Sequence, residues 1–184
     1  MAVLSLRIAV AAAVLAAVLV ARPAAQSPAS IEDDVKAAYL FNFTKFVEWP
    51  PNAFSGTSDP LNVCVAGDAA VAAAVERAIT GERVEGRPLK YVAPPPADAA
   101  GCHILYFGRG AADPSRVIAA SGNRPILAVG DSPRFLQQGG AIAFVVEERR
   151  VRFDIDPAAA TRAGLRVSSK LLRVARHIVE GEAR

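Results

Sequence analysis

The chain has 184 residues, 21 Lys and Arg against 18 Asp and Glu, and two cysteines. Arg7 and Arg22 fall in an N-terminal stretch that reads as a removable export signal, and without it the balance is 19 against 18. With no basic stripe interleaved with aromatics, nucleic-acid binding is set aside as a class, and about 155 remaining residues suffice for one domain with a real core.

The segment 1–25 carries Arg7 ahead of an apolar run from Ile8 to Val20, too short to span a bilayer comfortably but suited to a signal-peptide core. The small residues of ARPAAQS follow, so cleavage is expected after Ala25, with Ala29 as the alternative; an uncleaved anchor is the lesser reading. No lipobox cysteine is present. A single α/β domain is expected over 30–181, exported to the periplasm, where two cysteines can bridge.

The stretch Lys36–Pro50, KAAYLFNFTKFVEWP, holds five of the chain's 12 aromatic residues. Val35, Tyr39, Asn42 or Phe43, and Phe46 recur at steps of three and four, which predicts a helix of about four turns with an apolar stripe against a sheet. Ser30 with Asp33 resembles a capping box, and Glu32, Asp33 and Asp34 suit a helix start. Pro50 and Pro51 forbid continuation and push Trp49 out of the helical region, so Trp49 sits at an exit corner, where it caps the core or walls a ligand or partner site.

Leu61–Ala66 reads as a strand, ended by Gly67 and Asp68, which open a helix over Ala69–Ile79. Lys90–Val92 and His103–Phe107 are expected strands, Asp113-Pro114 caps a short helix, and Ile126–Val129 is a further strand. Asp131-Ser132-Pro133 starts another short helix ended by Gly139-Gly140. Ala141–Val146 is apolar without alternation, whereas Val151, Phe153 and Ile155 alternate with Arg152, Asp154 and Asp156; the short Glu147–Arg150 link makes these two strands a hairpin. Asp156-Pro157 caps a helix over Ala158–Ala163, and a final helix is expected from Ser168 to Val179. The pattern predicts a three-layer α/β/α sandwich with a mostly parallel sheet and one antiparallel edge hairpin.

The familiar catalytic signatures GxSxG, HExxH, CxxC, the Walker loop and GxGxxG after the first strand are all missing from the sequence. His103 stands beside Cys102 in a strand, where neighbours point to opposite faces, so a shared metal is not expected, and a buried, hydrogen-bonded imidazole is. His177 would lie near the end of the last helix. No cofactor is implied. Asp68, Arg109 and Asp131 follow strand carboxyl ends, the edge where open α/β sheets bind ligands, but both aspartates stand where helix caps are needed, and capping is the favoured job for each. Gly164–Lys170 combines a helix start, Ser168, Arg166 and Lys170, which could form an anion pocket; an ordinary serine cap with solvated cations is the reading the residues alone favour.

The aromatic helix KAAYLFNFTKFVEWP, the strand LNVCVAGD and the late segment VRFDIDPAAATRAGLRVSSKLLRVAR, in that order, resemble the YfiR/HmsC-like family of periplasmic proteins, over about Lys36 to Val179. The resemblance implies a small anionic or aromatic ligand near the tryptophan corner, with Trp49, Arg166 and Ser168 as the positions carried over. It also favours a Cys64–Cys102 bridge over two buried thiols, worth up to roughly 4 kcal/mol by loop closure; some relatives have a second cysteine pair that this chain lacks, leaving a structural and a redox-switched bridge both open.

For function, the resemblance implies a repressor of the periplasmic sensor portion of an inner-membrane diguanylate cyclase, lowering cyclic di-GMP and biofilm formation. An outer-membrane lipoprotein or a redox change would relieve it, and a homodimer is implied by the family only. Trp49 and Phe54 are the candidate partner contacts. The alternatives are a periplasmic small-ligand protein reporting to a membrane sensor or transporter and, least favoured, an exported hydrolase using crevice carboxylates.

Overall fold

The computed structural model describes residues 28–93, 95 and 97–179; the expected signal segment 1–25 lies outside them. The chain opens with α1 (Pro28–Phe46), whose core face is Ala37, Leu40, Phe43 and, just past its end, Val47. The expected stripe is therefore rotated. Val35 is 36% exposed, whereas Lys36 and Thr44 are buried, because both have polar partners: Lys36 is ion-paired and the Thr44 hydroxyl donates to the Phe41 carbonyl at 2.5 Å. The helix also begins before Ser30, which falls inside its first turn rather than at a cap.

Under α1 lies an aromatic cluster. The Phe43 ring meets Phe153 at 5.3 Å and Phe144 at 6.0 Å between centroids, Tyr39 meets Phe153 at 5.5 Å, and Tyr106 meets Phe144 at 6.0 Å. Edge-on and tilted contacts of this kind add to the large area such rings bury.

The strands are β1 (Val47–Glu48), β2 (Leu61–Ala66), β3 (Arg83–Val84), β4 (Arg87–Val92), β5 (Ile104–Phe107), β6 (Leu127–Gly130), β7 (Ile142–Glu147), β8 (Arg150–Ile155), β9 (Arg166–Val167) and β10 (His177–Ile178). Eight of them form one sheet in the order β10-β8-β7-β6-β5-β2-β4-β3, with β10∥β8, β7∥β6∥β5∥β2∥β4 and antiparallel pairs β7–β8 and β3–β4. The mostly parallel α/β sheet with its hairpin is thus the observed fold. On one face α1 and α2 (Ala69–Ile79) cover a core built on Val63, Ile104, Val129 and Phe144. On the other, α3 (Pro114–Ser121) and a 3₁₀ turn (Pro133–Gln138) cover Leu105, Phe107, Ala128 and the half-cystines.

The C-terminal end departs from the expected helix. Helix α4 (Pro157–Arg162) is capped by Asp156 as expected, but α5 spans only Ser169–Val174, and the chain then extends into β10. The outer edge of β8 explains this: Arg176 N–H donates to the Phe153 carbonyl and Val179 N–H to that of Ile155, both at 2.8 Å, satisfying backbone groups a continuing helix would leave bare. The Arg176 guanidinium also pairs with the buried Asp154 carboxylate, Nε to Oδ1 at 2.7 Å. His177 is accordingly a strand residue. β10 reaches only Asp154 and Ile155, and β6 pairs with β7 only at Ile142 and Ala143, so the tip of the β7–β8 hairpin runs past the sheet as a two-stranded arm.

Candidate functional site

Three places in the fold hold the sequence-predicted residues. The first is the corner after α1. Val47 and Glu48 leave the helix extended and pair antiparallel with Val167 and Arg166, making the two-residue ladder β1–β9. Ser168 N–H donates to the Phe46 carbonyl at 2.9 Å, so the ladder ties the end of α1 to the start of α5. The segments bearing Trp49, Arg166 and Ser168 thereby meet, although more than a hundred residues separate them.

Their polar groups are nevertheless mostly engaged. The Ser168 hydroxyl accepts from Leu171 N–H at 3.3 Å as the cap of α5. Arg166 is 84% exposed and turns to Glu48, Nη2 to Oε2 at 3.0 Å. Trp49 is half-buried against the core, and its indole Nε1 is buried with no hydrogen-bond partner among the described residues. An indole N–H normally finds an acceptor when removed from water, so this group is a buried open donor at the corner.

The second place is the carboxyl edge of the sheet. β2 and β5 are where the chain changes direction across the sheet, and an open crevice is the usual consequence. Here the two loops close on each other. Gly67, at φ +73°, abuts the next loop so tightly that an added Cβ would lie 2.0 Å from Ala111 N, and Gly110 N–H donates to the Gly67 carbonyl at 2.9 Å. Asp68 caps α2, accepting from Val71 N–H at 3.1 Å, as expected.

Asp131 does not cap; Ser132 takes that position, accepting from Arg134 N–H. Asp131 instead accepts from Lys36 Nζ at 2.9 Å and Arg109 Nε at 3.1 Å, while Glu32 accepts from the same two cations at 2.6 and 2.7 Å. Lys36 is 1% exposed, and these four charges clamp the first turns of α1 to the loops after β5 and β6. Hydrogen bonding to Asp131 and its charge hold the Arg109 guanidinium more firmly protonated. Behind the clamp the Tyr106 hydroxyl is buried with no hydrogen-bond partner among the described residues, and burial, then the Asp131 and Asp68 carboxylates, push its ionisation well upward. Nearby, burial and the Asp68 charge raise Asp33 above the usual carboxylate range. Each charge in the clamp is matched, which suits a structural tie better than acid/base chemistry.

The third place is the disulfide. Cys64 and Cys102 are bonded, with Cα atoms 5.9 Å apart and a sequence separation of 38. The bond pins the crossover from β4 to β5 onto β2. Beside it His103 is buried: its Nδ1 accepts from Asn62 N–H at 3.0 Å and its Nε2 bonds the Ala53 carbonyl at 3.1 Å, which assigns the neutral Nε2–H tautomer. Burial holds its pKa down. Phe54 stacks on His103 at 4.6 Å, with the Arg87 guanidinium 3.7 Å above its other face, so this ring is half-buried in a sandwich.

Sequence reasoning missed the Glu32–Lys36–Arg109–Asp131 clamp; the spacing of Glu32 and Lys36 four apart was its only local signal. Among the described residues no helix is long and apolar enough to cross a membrane. No curated protein matches the chain. A protein-family model described as YfiR/HmsC-like matches residues 33–176.

Proposed function

The chain belongs to the YfiR/HmsC-like family, and from that premise we propose that it is a periplasmic regulator that binds the periplasmic sensor portion of an inner-membrane diguanylate cyclase and holds its cytoplasmic catalytic domain inactive. The family match across nearly all described residues carries this reading. The Cys64–Cys102 disulfide supports an oxidising compartment. Repression requires a surface that prefers the inactive cyclase conformation, since a partner shifts an equilibrium only by its difference in affinity for the two states. Trp49 and Phe54, both half-buried, flank the 3₁₀ turn Pro51–Ala53 in the chain and are the contacts to test first. An outer-membrane lipoprotein competing for this protein would relieve repression.

The experiment is deletion of the gene in its native host, with cyclic di-GMP measured before and after complementation by exported and signal-less forms. The level should rise, and only the exported form should restore it. An unchanged level across growth conditions refutes the assignment.

One observation favours a second reading, a small-ligand protein reporting to a membrane sensor: the unpartnered Trp49 indole N–H beside the Arg166 and Ser168 segments. Trp49 is the chain's single tryptophan, so its fluorescence reports on that corner directly. Saturable quenching by an aromatic or carboxylate solute, without any cyclase present, would establish it.

A further inference from the structure

A groove of 680 Å³ runs between the first turns of α1 and the projecting β7–β8 arm. Its floor is Ile31, Val35, Val146 and Val151, of which Ile31 is 52% and Val146 48% exposed. Its rim on the arm is Arg149 and Arg150, both exposed and without an ion-pair partner among the described residues. On the α1 side Glu32 is already held by Lys36 and Arg109. The tip of the arm turns through Glu148 and Arg149 at φ +48° and +61°, two adjacent non-glycine residues in the left-handed region. A two-residue link between antiparallel strands takes this conformation as its ordinary turn.

Resting on the regulatory reading above, we infer that this groove, at the opposite end of α1 from Trp49 and Phe54, is a second docking surface for the membrane partner, and that it takes an acidic polypeptide segment whose apolar side chains fill the floor while its carboxylates meet Arg149 and Arg150. Large exposed apolar side chains gathered in one groove mark an interaction site rather than scattered surface. The charge selects the occupant. A second copy of this chain would bring two more exposed arginines to a groove whose own lining carboxylate, Glu32, is already held by Lys36 and Arg109, so its arm does not complement the rim. The chain's own first 27 residues contain Arg7 and Arg22 and no acidic residue, so they do not complement the rim either. A concave floor flanked by an α-helix and a hairpin suits a peptide segment better than a flat bilayer.

The test places the photo-crosslinker p-benzoylphenylalanine at Val146 in the full exported chain in its native host, with Arg77, exposed on α2, as the control position. Cross-linked peptides are mapped by mass spectrometry. The expected product joins Val146 to an acidic, apolar-containing segment of another polypeptide. Its yield should fall roughly tenfold when Arg149→Glu and Arg150→Glu are added, with the melting temperature unchanged. Capture of a second copy, capture of lipid, no capture, equal capture from Arg77, or a yield indifferent to the two reversals each overturns the proposal. The two readings fail separately. An acidic segment from a sensor that is not a cyclase keeps the groove and removes the cyclase; a cyclic di-GMP rise on deletion with no capture at Val146 does the reverse.

Discussion

Replacing Asp131 by asparagine should destabilise the domain more than replacing Lys36 by methionine, although the two residues are partners. Asp131 accepts from Lys36 at 2.9 Å and from Arg109 at 3.1 Å, and Lys36 is 1% exposed. Asp131→Asn leaves that buried ammonium with Glu32, shared with Arg109, as its counter-charge, and stripping one charged partner from a buried pair typically costs about 3–5 kcal/mol. The remaining 2.6 Å contact to Glu32, itself 24% exposed, reduces the expectation to about 2–4 kcal/mol. Lys36→Met leaves two carboxylates on one guanidinium, but each keeps a hydrogen bond, Arg109 Nε to Asp131 and Arg109 Nη2 to Glu32, the excess charge is shared with water at Glu32, 24% exposed, and a thioether of similar length fills the space. Its cost should stay under about 1.5 kcal/mol. Urea unfolding of the mature protein is the assay, where about 3 kcal/mol moves the midpoint by about 1.5 M at a slope near 2 kcal/mol/M. Equal costs, or a larger cost for Lys36→Met, would refute the claim that the fully buried ammonium depends on the clamp more than the partly exposed carboxylates do.

Further outcomes follow from other elements. Cys64→Ser with Cys102→Ser should lower stability by up to roughly 4 kcal/mol, the loop-closure value for a separation of 38, read as a matching loss on adding reductant to the parent protein. Because the folded pKa of His103 lies below its ordinary value of 6.5, the unfolded chain binds more protons between the two. Stability should therefore be constant above pH 7 and fall as pH drops from about 6.5 through the folded pKa, and a His103→Gln variant should flatten that slope in thermal melts. Phe43→Ala should cost about 3–5 kcal/mol, since the ring is fully buried against Phe144 and Phe153. Arg176→Ala should release β10, seen as faster amide exchange at Arg176 and Val179 without loss of exchange protection in β2 and β5.

Local chemistry made much of the fold legible. Asp68, Asp113 and Asp156 cap their helices where the sequence placed caps, because a side chain two or three residues from a free N–H needs no tertiary information. The rotated face of α1 was not legible, since burial of Lys36 depends on Asp131, 95 residues away. Asp131 and Ser132 both suit a cap by residue type and position; Ser132 takes it, which frees Asp131 for Lys36 and Arg109. The last helix misled for a different reason: Leu171, Leu172, Ala175, Ile178 and Val179 fit a helical stripe, but the edge of β8 and the buried Asp154 offered backbone and charge partners that outcompeted local propensity. Of the tryptophan corner, the residues could be named from resemblance; the ladder Val47↔Val167 that joins them is two residues long and leaves no periodic trace. Val146, counted among the buried run, is exposed because β7 outlasts its neighbour β6.

β10 covers β8 only at Asp154 and Ile155, which leaves the stretch Arg150–Arg152 without a strand on its outer side among the described residues. A bare strand edge is a template for the same edge of another molecule, and two of its three side chains here are arginines. Edge-to-edge self-association is thus opposed by like charge at close range. That defence depends on ionic strength, since at about 1 M salt the screening length shrinks to about 3 Å. The purified domain should remain dispersed in dilute buffer and begin to self-associate as salt rises, with Arg150→Ser and Arg152→Ser lowering the threshold.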